Sequence, residues 1–181
     1  MSVRLVILDR DGVINVESDA FIKSAEEWVP IAGSLEGIRI LTDAGFTVAV
    51  ASNQSGLGRG LFDLQALEQM HEKMRRLVDE AGGRIDHIVV CPHHPGDGCD
   101  CRKPKPGLLR QLSDHYQQSL AGVPVIGDSV RDVEAAQAVA ARPILVRTGN
   151  GSRAEAELHD SGIEVCPDLL AAARMLAAER S

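Results

Sequence analysis

The chain has 181 residues with a formal net charge of −7, which is the length of about one domain. The negative charge argues against a protein that coats nucleic acid, and an aromatic content of only 3% leaves few platforms for base stacking. No apolar run approaches the roughly 18–20 residues of a membrane span, and the N-terminus lacks the features of a signal peptide. We therefore expect a soluble, cytoplasmic, single-domain protein over residues 1–181, with neither a membrane nor a nucleic-acid partner.

Strand-like and helix-like segments alternate along the chain. Short runs rich in β-branched and aliphatic residues predict strands over residues 3–9, 46–52, 85–91, 124–128 and 143–148. Helical spacing of apolar residues predicts helices over about 34–44, 64–81, 107–119, 130–140 and 168–179. Ser34 and Asp63 are predicted to cap the first two helices, and Gly45 to end the first. The second helix is predicted to bury one stripe, formed by Leu64, Leu67, Met70, Met74, Leu77 and Val78.

Strands that alternate with helices of ten or more residues require crossover connections and a parallel sheet. The sequence therefore predicts one Rossmann-like, three-layer α/β domain with a mainly parallel sheet. Ligands of such domains bind beyond the carboxyl ends of the strands, so the loops after Asp9, Ser52, Cys91 and Asp128 are the candidate site.

Acidic residues stand at the ends of two predicted strands. Asp9 and Asp11 belong to the sequence LDRDGVIN, and a turn there can direct both carboxylates into one small volume. Asp128 ends another strand, and together with Asp9 it would form an oxygen site suited to Mg²⁺. The alternatives are an ordinary Asp-Gly turn and, for Asp132, a simple acid in the first turn of a helix.

Two further loops have the composition of a phosphate site. SNQSGLGRG, residues 52–60, offers hydroxyls and backbone N–H groups after a strand, and the alternative is a glycine-rich turn without a ligand. Arg102 and Lys103 form a positive point in an acidic chain, which favours a phosphate clamp over a solvated charge run.

Three of the four cysteines lie close together in the sequence. Cys91, Cys99 and Cys101, with His93 or the adjacent His94, offer three thiolates and one imidazole, the closed ligand set of a structural Zn²⁺. The alternative is a group of reduced cysteines without metal. Cys166 stands alone and is predicted to be a small core residue.

Taken together, the motifs LDRDGVIN, SNQSGLGRG, CPHHP, CDCRKPKPG and GDSVRDVEAA resemble the haloacid dehalogenase superfamily of phosphohydrolases. Within it they look like the D-glycero-D-manno-heptose 1,7-bisphosphate 7-phosphatase branch, which is close to the histidinol-phosphatase domains. The resemblance implies a minimal cap and a zinc-stapled loop in which His93 is the ligand. Ser129 departs from the branch, because related sugar phosphatases often have Lys at that position.

The resemblance and the chemistry together predict a catalytic arrangement. Asp9 would be the nucleophile and Asp11 the general acid and base, while Ser52 and Lys103 would stabilise the phosphoryl group. Mg²⁺ would be held by the side chains of Asp9 and Asp128 and by the backbone carbonyl of Asp11. The predicted substrate contacts are Arg10, Glu17, Ser18, Asp19, Ala20, Asn53, Gln54, Ser55, Arg102 and Ser129.

The expected activity is Mg²⁺-dependent removal of the 7-phosphate from a heptose bisphosphate, within nucleotide-activated heptose and lipopolysaccharide biosynthesis. The substrate is thus a small sugar phosphate, and the absence of a coiled-coil seam favours a monomer. Histidinol phosphate or another small phosphomonoester is the alternative substrate. A zinc-stabilised module that binds phosphorylated ligands without turnover is the alternative of another class.

Overall fold

The computed structural model describes residues 2–179 as a six-stranded, fully parallel sheet with helices on both faces. The strand order is β3-β2-β1-β4-β5-β6. The strands are β1 (Leu5–Leu8), β2 (Thr47–Asn53), β3 (His87–Cys91), β4 (Pro124–Gly127), β5 (Arg142–Val146) and β6 (Glu164–Cys166). The helices are α1 (Ser34–Asp43), α2 (Ser55–Gly58), α3 (Leu64–Glu80), α4 (Gly107–Tyr116), α5 (Val130–Gln137), α6 (Gly151–Glu157) and α7 (Leu169–Ala178).

The central strand β1 is buried on both faces, as its continuous apolar sequence predicts. Val6 and Leu8 point to one side, where the core includes residues of α1, α3 and α7. Leu5 and Ile7 point to the other side, where residues of α4 and α5 complete the core. The predicted three-layer α/β architecture is therefore confirmed.

Local capping signals explain several helix ends. The carboxylate of Asp63 accepts a hydrogen bond from the N–H of Ala66 at 2.8 Å and begins α3, as predicted. Gly45 adopts a positive φ of 81° directly after α1, also as predicted. Asp168 caps α7 in the same way as Asp63 caps α3.

Two helix predictions are wrong. Ser34 does not cap α1, because Gly33 occupies the cap position and the Ser34 hydroxyl donates to the carbonyl of Ile14 at 2.7 Å. Leu64 is 64% exposed and does not belong to the buried stripe of α3, because it precedes the part of the helix that packs on the sheet.

Three short elements have no counterpart in the predicted set. These are the edge strand β6 and the helices α2 and α6, which are three to seven residues long. Cys166 lies in β6 and is 6% exposed, which confirms that it is a core residue.

Two irregular segments stand at the carboxyl edge of the sheet, residues 9–33 after β1 and residues 92–106 after β3. The second contains only a short 3₁₀ helix (Pro95–Asp97), so the expected minimal cap agrees with the part of the chain that the structure describes. Within residues 2–179, none of the helices combines the length and the apolar character that crossing a membrane requires.

Candidate active site

Three carboxylates converge at the carboxyl edge of the sheet. Asp9 follows β1 directly, Asp128 follows the neighbouring strand β4, and Asp132 lies in the first turn of α5. One oxygen atom from each lies within 4.8 Å of the other two. Because β1 and β4 are paired and parallel, the fold itself brings the first two side chains together.

Lys103 inserts its ammonium group into this carboxylate cluster. The Nζ atom lies 3.1 Å from Asp9 Oδ1 and 2.5 Å from Asp132 Oδ1, and it donates to the carbonyl of Ala51 at 2.9 Å. Burial alone would lower the pKa of Lys103, but the carboxylates of Asp132 and Asp9 outweigh burial and raise it. The lysine is therefore a permanent cation beside Asp9.

Asp132 holds this lysine in place and is itself fixed. Its Oδ2 atom accepts hydrogen bonds from the backbone N–H groups of Asp128 and Ser129 and from the Ser129 hydroxyl, at 2.7 to 3.2 Å. Asp132 is thus both a first-turn acid and a member of the cluster. The Ser129 hydroxyl bonds to Asp132, although Ser129 also lines the cavity around Asp9.

The cluster has the properties of a divalent cation site. Burial, followed by repulsion from Asp132, raises the pKa of Asp128 to about 8, and the same two effects raise the pKa of Asp9. A hard cation such as Mg²⁺ compensates carboxylates that lie this close, and it prefers oxygen ligands. The donor set therefore fits Mg²⁺.

Two glycines make room for the Asp128 carboxylate. Gly12 and Gly149 have φ values of 83° and 57°, and a Cβ atom on either would overlap with Asp128 Oδ2. The N–H of Asn150 donates to the same Oδ2 atom at 2.9 Å, and the Asn150 side-chain amide bonds to Glu17. The loop after β5 therefore fixes Asp128, a role that was not predicted from the sequence.

The carboxylate of Asp11 does not belong to this cluster. It accepts hydrogen bonds from the Arg10 guanidinium at 3.0 to 3.2 Å, and from Asn15 and Gln54 at 2.8 Å each. Asp11 lines the same small cavity as Asp9, which agrees with the expectation that the turn directs both carboxylates into one small volume.

Arg10 does not point into the cavity as predicted. Its side chain is fully buried behind Asp11, where it also bonds Gln54 and approaches His71 Nε2 at 3.4 Å. A direct side-chain contact with substrate does not fit this burial. Arg10 instead orients Asp11.

The last residue of β2, Asn53, connects that strand to the segment that contains Lys103. The side chain of Asn53 accepts a hydrogen bond from the N–H of Lys103 at 3.0 Å and donates one to the carbonyl of Lys103 at 3.1 Å, which fixes the backbone of that residue. Ser52 is buried at 1% exposure, and its hydroxyl accepts a hydrogen bond from the amide of Gln54 at 2.8 Å.

A cleft of about 290 Å³ opens beside the cavity that contains Asp9. Seven of the predicted substrate contacts line it, namely Glu17, Ser18, Asp19, Asn53, Gln54, Ser55 and Arg102. Ala20 does not line it; its N–H donates to Ser18 Oγ instead. The cleft also contains Arg59 and Arg131, which were not predicted as site residues. Both lie within motifs that were singled out, SNQSGLGRG and GDSVRDVEAA, and this position is the signal that could have indicated them.

The predicted zinc ligands also converge. Cys91, His93, Cys99 and Cys101 place one ligand atom each within 4.8 Å of the others. Neighbouring donor atoms lie 3.1 to 3.7 Å apart, which is at or below the edges of about 3.5–3.8 Å of a tetrahedron with Zn–S near 2.3 Å and Zn–N near 2.0 Å. Burial raises the pKa of Cys91 to about 12, so a thiolate there at neutral pH requires a bound cation.

The structure distinguishes the two adjacent histidines. His93 directs Nδ1 at the sulfur atoms of Cys91 and Cys101. His94 Nδ1 accepts a hydrogen bond from the N–H of Gly96 and caps the 3₁₀ helix. This geometry agrees with His93 as the ligand.

The sequence matches known protein families and curated relatives. A family model for polynucleotide kinase 3 phosphatase matches residues 4–135, and a HAD-hydrolase-like model matches residues 100–172. A D-glycero-beta-D-manno-heptose-1,7-bisphosphate 7-phosphatase of Pseudomonas putida is 56% identical over 174 residues, covering 96% of this chain and 99% of the relative. The chain belongs to the haloacid dehalogenase superfamily of phosphatases.

Solved structures of this superfamily include close matches. The D,D-heptose 1,7-bisphosphate phosphatase of Bordetella bronchiseptica, complexed with magnesium and phosphate, is 51% identical with a TM-score of 0.95, covering 97% of this chain and 99% of that one. The corresponding phosphatase of Burkholderia thailandensis is 41% identical with a TM-score of 0.74, covering 96% and 97%. The chain is thus an enzyme, a phosphatase with the haloacid dehalogenase fold.

Proposed function

We propose that this phosphatase removes the 7-phosphate of D-glycero-β-D-manno-heptose 1,7-bisphosphate with Mg²⁺, in the formation of nucleotide-activated heptose. The convergence of Asp9, Asp128, Asp132 and Lys103 carries the reaction class. The names of the relatives that are 51–56% identical over nearly the full chain support the substrate and its β anomer.

Asp9 is the proposed nucleophile. Its carboxylate lies at the end of a buried strand, and Lys103 is 3.1 Å from one of its oxygens. In-line attack on the phosphorus forms a bond from an Asp9 oxygen, breaks the bond to the sugar oxygen, and leaves an aspartyl-phosphate. Bound Mg²⁺ supplies charge neutralisation between the carboxylates and the phosphoryl oxygens.

Asp11 is the proposed general acid and base. It protonates the departing sugar oxygen and then takes a proton from the water that cleaves the aspartyl-phosphate. Hydrogen bonds from Arg10, Asn15 and Gln54 orient its carboxylate beside the cavity. Three polar side chains therefore hold the Asp11 carboxylate in one orientation.

The proposed Mg²⁺ ligands are the side chains of Asp9 and Asp128 and the backbone carbonyl of Asp11. Ser52 and Lys103 are the proposed donors to the phosphoryl oxygens. Asn53 supports this role of Lys103, because it holds the lysine backbone through two hydrogen bonds. Asp132 restrains the ammonium group through an ion pair.

We also propose that Cys91, His93, Cys99 and Cys101 bind a structural Zn²⁺. The irregular segment of residues 92–106 buries few apolar side chains, so a metal is the most direct way to order it. Cys101 is separated from Lys103 by one residue. A rigid metal site therefore fixes the start of the segment that places Arg102 and Lys103.

Release of inorganic phosphate from a substrate panel tests the proposed function. The panel contains both anomers of the heptose 1,7-bisphosphate, histidinol phosphate and simple sugar phosphates, each with Mg²⁺ and with EDTA. We expect Mg²⁺-dependent loss of the 7-phosphate alone, fastest for the β anomer. Faster turnover of histidinol phosphate would replace the substrate but keep the chemistry, and no release from any compound would support a binding module. The monomeric state and the cytoplasmic location remain predictions.

A further inference from the structure

Helix α3 carries a histidine on the side that it packs against the core. His71 follows Leu67 by four residues and precedes Met74 by three, so it shares a helix face with these two buried side chains. Its Nε2 atom lies 3.4 Å from Nη1 of Arg10, which is fully buried behind Asp11. His71 therefore connects the helix to the loop after β1.

The chemistry of the two side chains fixes the direction of their hydrogen bond. A guanidinium can only donate, so His71 Nε2 accepts and the proton of the imidazole is on Nδ1. Burial, followed by the cations of Arg10 and Arg75, lowers the pKa of His71 to about 4, so the ring is neutral at pH 7. His71 thus offers Arg10 an acceptor from the side opposite to solvent-exposed chemistry, without adding a charge.

Arg10 transmits this restraint to Asp11. Its Nε and Nη2 atoms donate to Asp11 Oδ1 at 3.1 and 3.0 Å, and Nη2 also donates to Asp11 Oδ2 at 3.2 Å and to Gln54 at 3.1 Å. With His71 at Nη1, each of the three guanidinium nitrogens faces an acceptor. The guanidinium is planar and rigid, so it cannot rotate without losing several of these bonds. The orientation of Asp11 therefore depends on α3.

A second contact makes α3 a firm support for this loop. The ammonium group of Lys73 donates to the carbonyls of Ala25 and Trp28 at 2.6 and 2.8 Å, and both carbonyls belong to the irregular segment of residues 9–33. Met70, next to His71, is fully buried in the core. The helix is thus anchored on the sheet and holds the segment after β1 at two separate points.

We propose that His71 is a positioning residue that acts through Arg10 and holds Asp11 in the orientation needed to protonate the departing sugar oxygen. This inference rests on the proposed function, in which Asp11 is the general acid. An Asp9 oxygen bonds to phosphorus, the bond from phosphorus to the sugar oxygen breaks with its electron pair on that oxygen, and the Asp11 proton moves there. Loss of His71 therefore slows phosphoryl transfer only when the leaving group needs a proton.

Leaving groups of different basicity separate positioning from a purely structural role. A sugar alkoxide needs a proton in order to leave, whereas p-nitrophenolate and acetate leave as stable anions. The value of kcat/KM reflects the steps up to formation of the aspartyl-phosphate, so later hydrolysis of this intermediate does not enter. The discriminating quantity is the ratio of kcat/KM for the sugar phosphate to kcat/KM for p-nitrophenyl phosphate and for acetyl phosphate.

We expect His71→Leu, which removes the acceptor, to lower this ratio by roughly tenfold, because a small misplacement of a catalytic group costs this much or more. Arg10→Lys keeps the buried cation but loses the planar fork, and should lower the ratio by roughly a hundredfold. His71→Gln offers Arg10 an amide oxygen and should restore most of the ratio. The matched control is His159→Leu, which removes an exposed histidine after α6 and should leave the ratio unchanged.

The outcomes for this inference and for the proposed function are distinguishable. The sugar phosphate is the heptose 1,7-bisphosphate, and any compound of the panel that the wild type prefers takes its place, so a different substrate replaces the proposed function but keeps this test. Equal losses for all leaving groups in His71→Leu, or no loss, would overturn the positioning role and leave the proposed function standing. Arg10→Lys decides in the same way where His71→Leu does not fold. No phosphate release by the wild type from any compound would overturn both.

Discussion

Lys103 and Asp132 form a buried ion pair, with Nζ 2.5 Å from Oδ1 and side chains that are 6% and 4% exposed. The same ammonium group lies 3.1 Å from Asp9, so one lysine compensates two carboxylates. Removing the lysine leaves buried charges unpaired, which is among the more damaging single changes in a core. We expect Lys103→Met to lower the free energy of unfolding by roughly 3 kcal/mol and to abolish phosphate release.

Urea denaturation measures this loss, and Lys105→Met is its control. Lys105 pairs with Asp100 in solvent, where the two side chains are 51% and 98% exposed, and such pairs contribute little. Equal free energies of unfolding for the two variants would show that the buried pair contributes no more to stability than the exposed one.

The loop after β5 is predicted to determine the affinity for Mg²⁺. In Gly149→Ala the new Cβ atom would overlap with Asp128 Oδ2, so the carboxylate must move away from its position. We expect the Kd for Mg²⁺ to rise at least about tenfold, which corresponds to about 1.4 kcal/mol. Titration calorimetry with Mg²⁺ alone measures this without turnover.

Gly162→Ala separates the overlap from backbone strain. Gly162 also has a positive φ, 69°, but a Cβ atom there would meet nothing within 4 Å. This variant should keep the wild-type Mg²⁺ affinity, and a matching loss in both variants would attribute the effect to strain alone.

The zinc proposal predicts a specific change in metal content. Cys99→Ser removes one of four donors, so purified protein should contain well under one zinc per chain and should melt at a lower temperature. Elemental analysis and thermal unfolding measure both properties. Cys166→Ala is the control, because Cys166 lies in β6, away from the other three cysteines, and should leave the zinc content at one per chain. Full zinc content in Cys99→Ser would contradict the ligand assignment.

His71 is predicted to make the protein sensitive to acid. Burial, followed by the cations of Arg10 and Arg75, lowers the pKa of His71 to about 4. The unfolded chain binds a proton near pH 6.5 while the folded chain does not, so stability falls as the pH decreases from about 6.5 to 4. Between pH 7 and 4.5 this group should account for on the order of 2 kcal/mol of lost stability.

Urea denaturation of wild type and His71→Gln over this pH range measures that contribution. The variant should show a flatter dependence, while His159→Gln, which changes an exposed histidine, should follow the wild type. Parallel curves for wild type and His71→Gln would contradict the contribution of this side chain.

The long elements could be predicted because local chemistry and packing agree in them. The apolar run of β1, the Asp63 cap of α3 and the positive φ of Gly45 all follow from their own residues. The short elements could not be predicted in this way. Helix α2 has only four residues, two of them glycine, and β6 has three, so neither shows a periodic pattern.

The site was predictable where residues stand at strand ends. Asp9 and Asp128 are close in space as expected, because parallel strands deliver their carboxyl ends to one edge. The four proposed zinc ligands form a second group, which begins at the end of β3. The direction in which a side chain points depends on partners far along the chain. The sequence alone therefore did not predict the directions of Asp11 and Asn150. Asp11 turns towards Gln54, which is 43 residues away, and Asn150 reaches Glu17 across 133 residues.

Asp9 is the proposed nucleophile of phosphoryl transfer within a carboxylate cluster that would bind Mg²⁺. The most direct measurement compares phosphate release from the β anomer of heptose 1,7-bisphosphate by wild type and Asp9→Asn, with Mg²⁺ and with EDTA. We expect release by the wild type with Mg²⁺ only, and a loss of at least about 10⁴-fold in the variant, since removing a nucleophile has effects of this size. Circular dichroism and zinc content should be unchanged. Substantial release by folded Asp9→Asn would contradict the account.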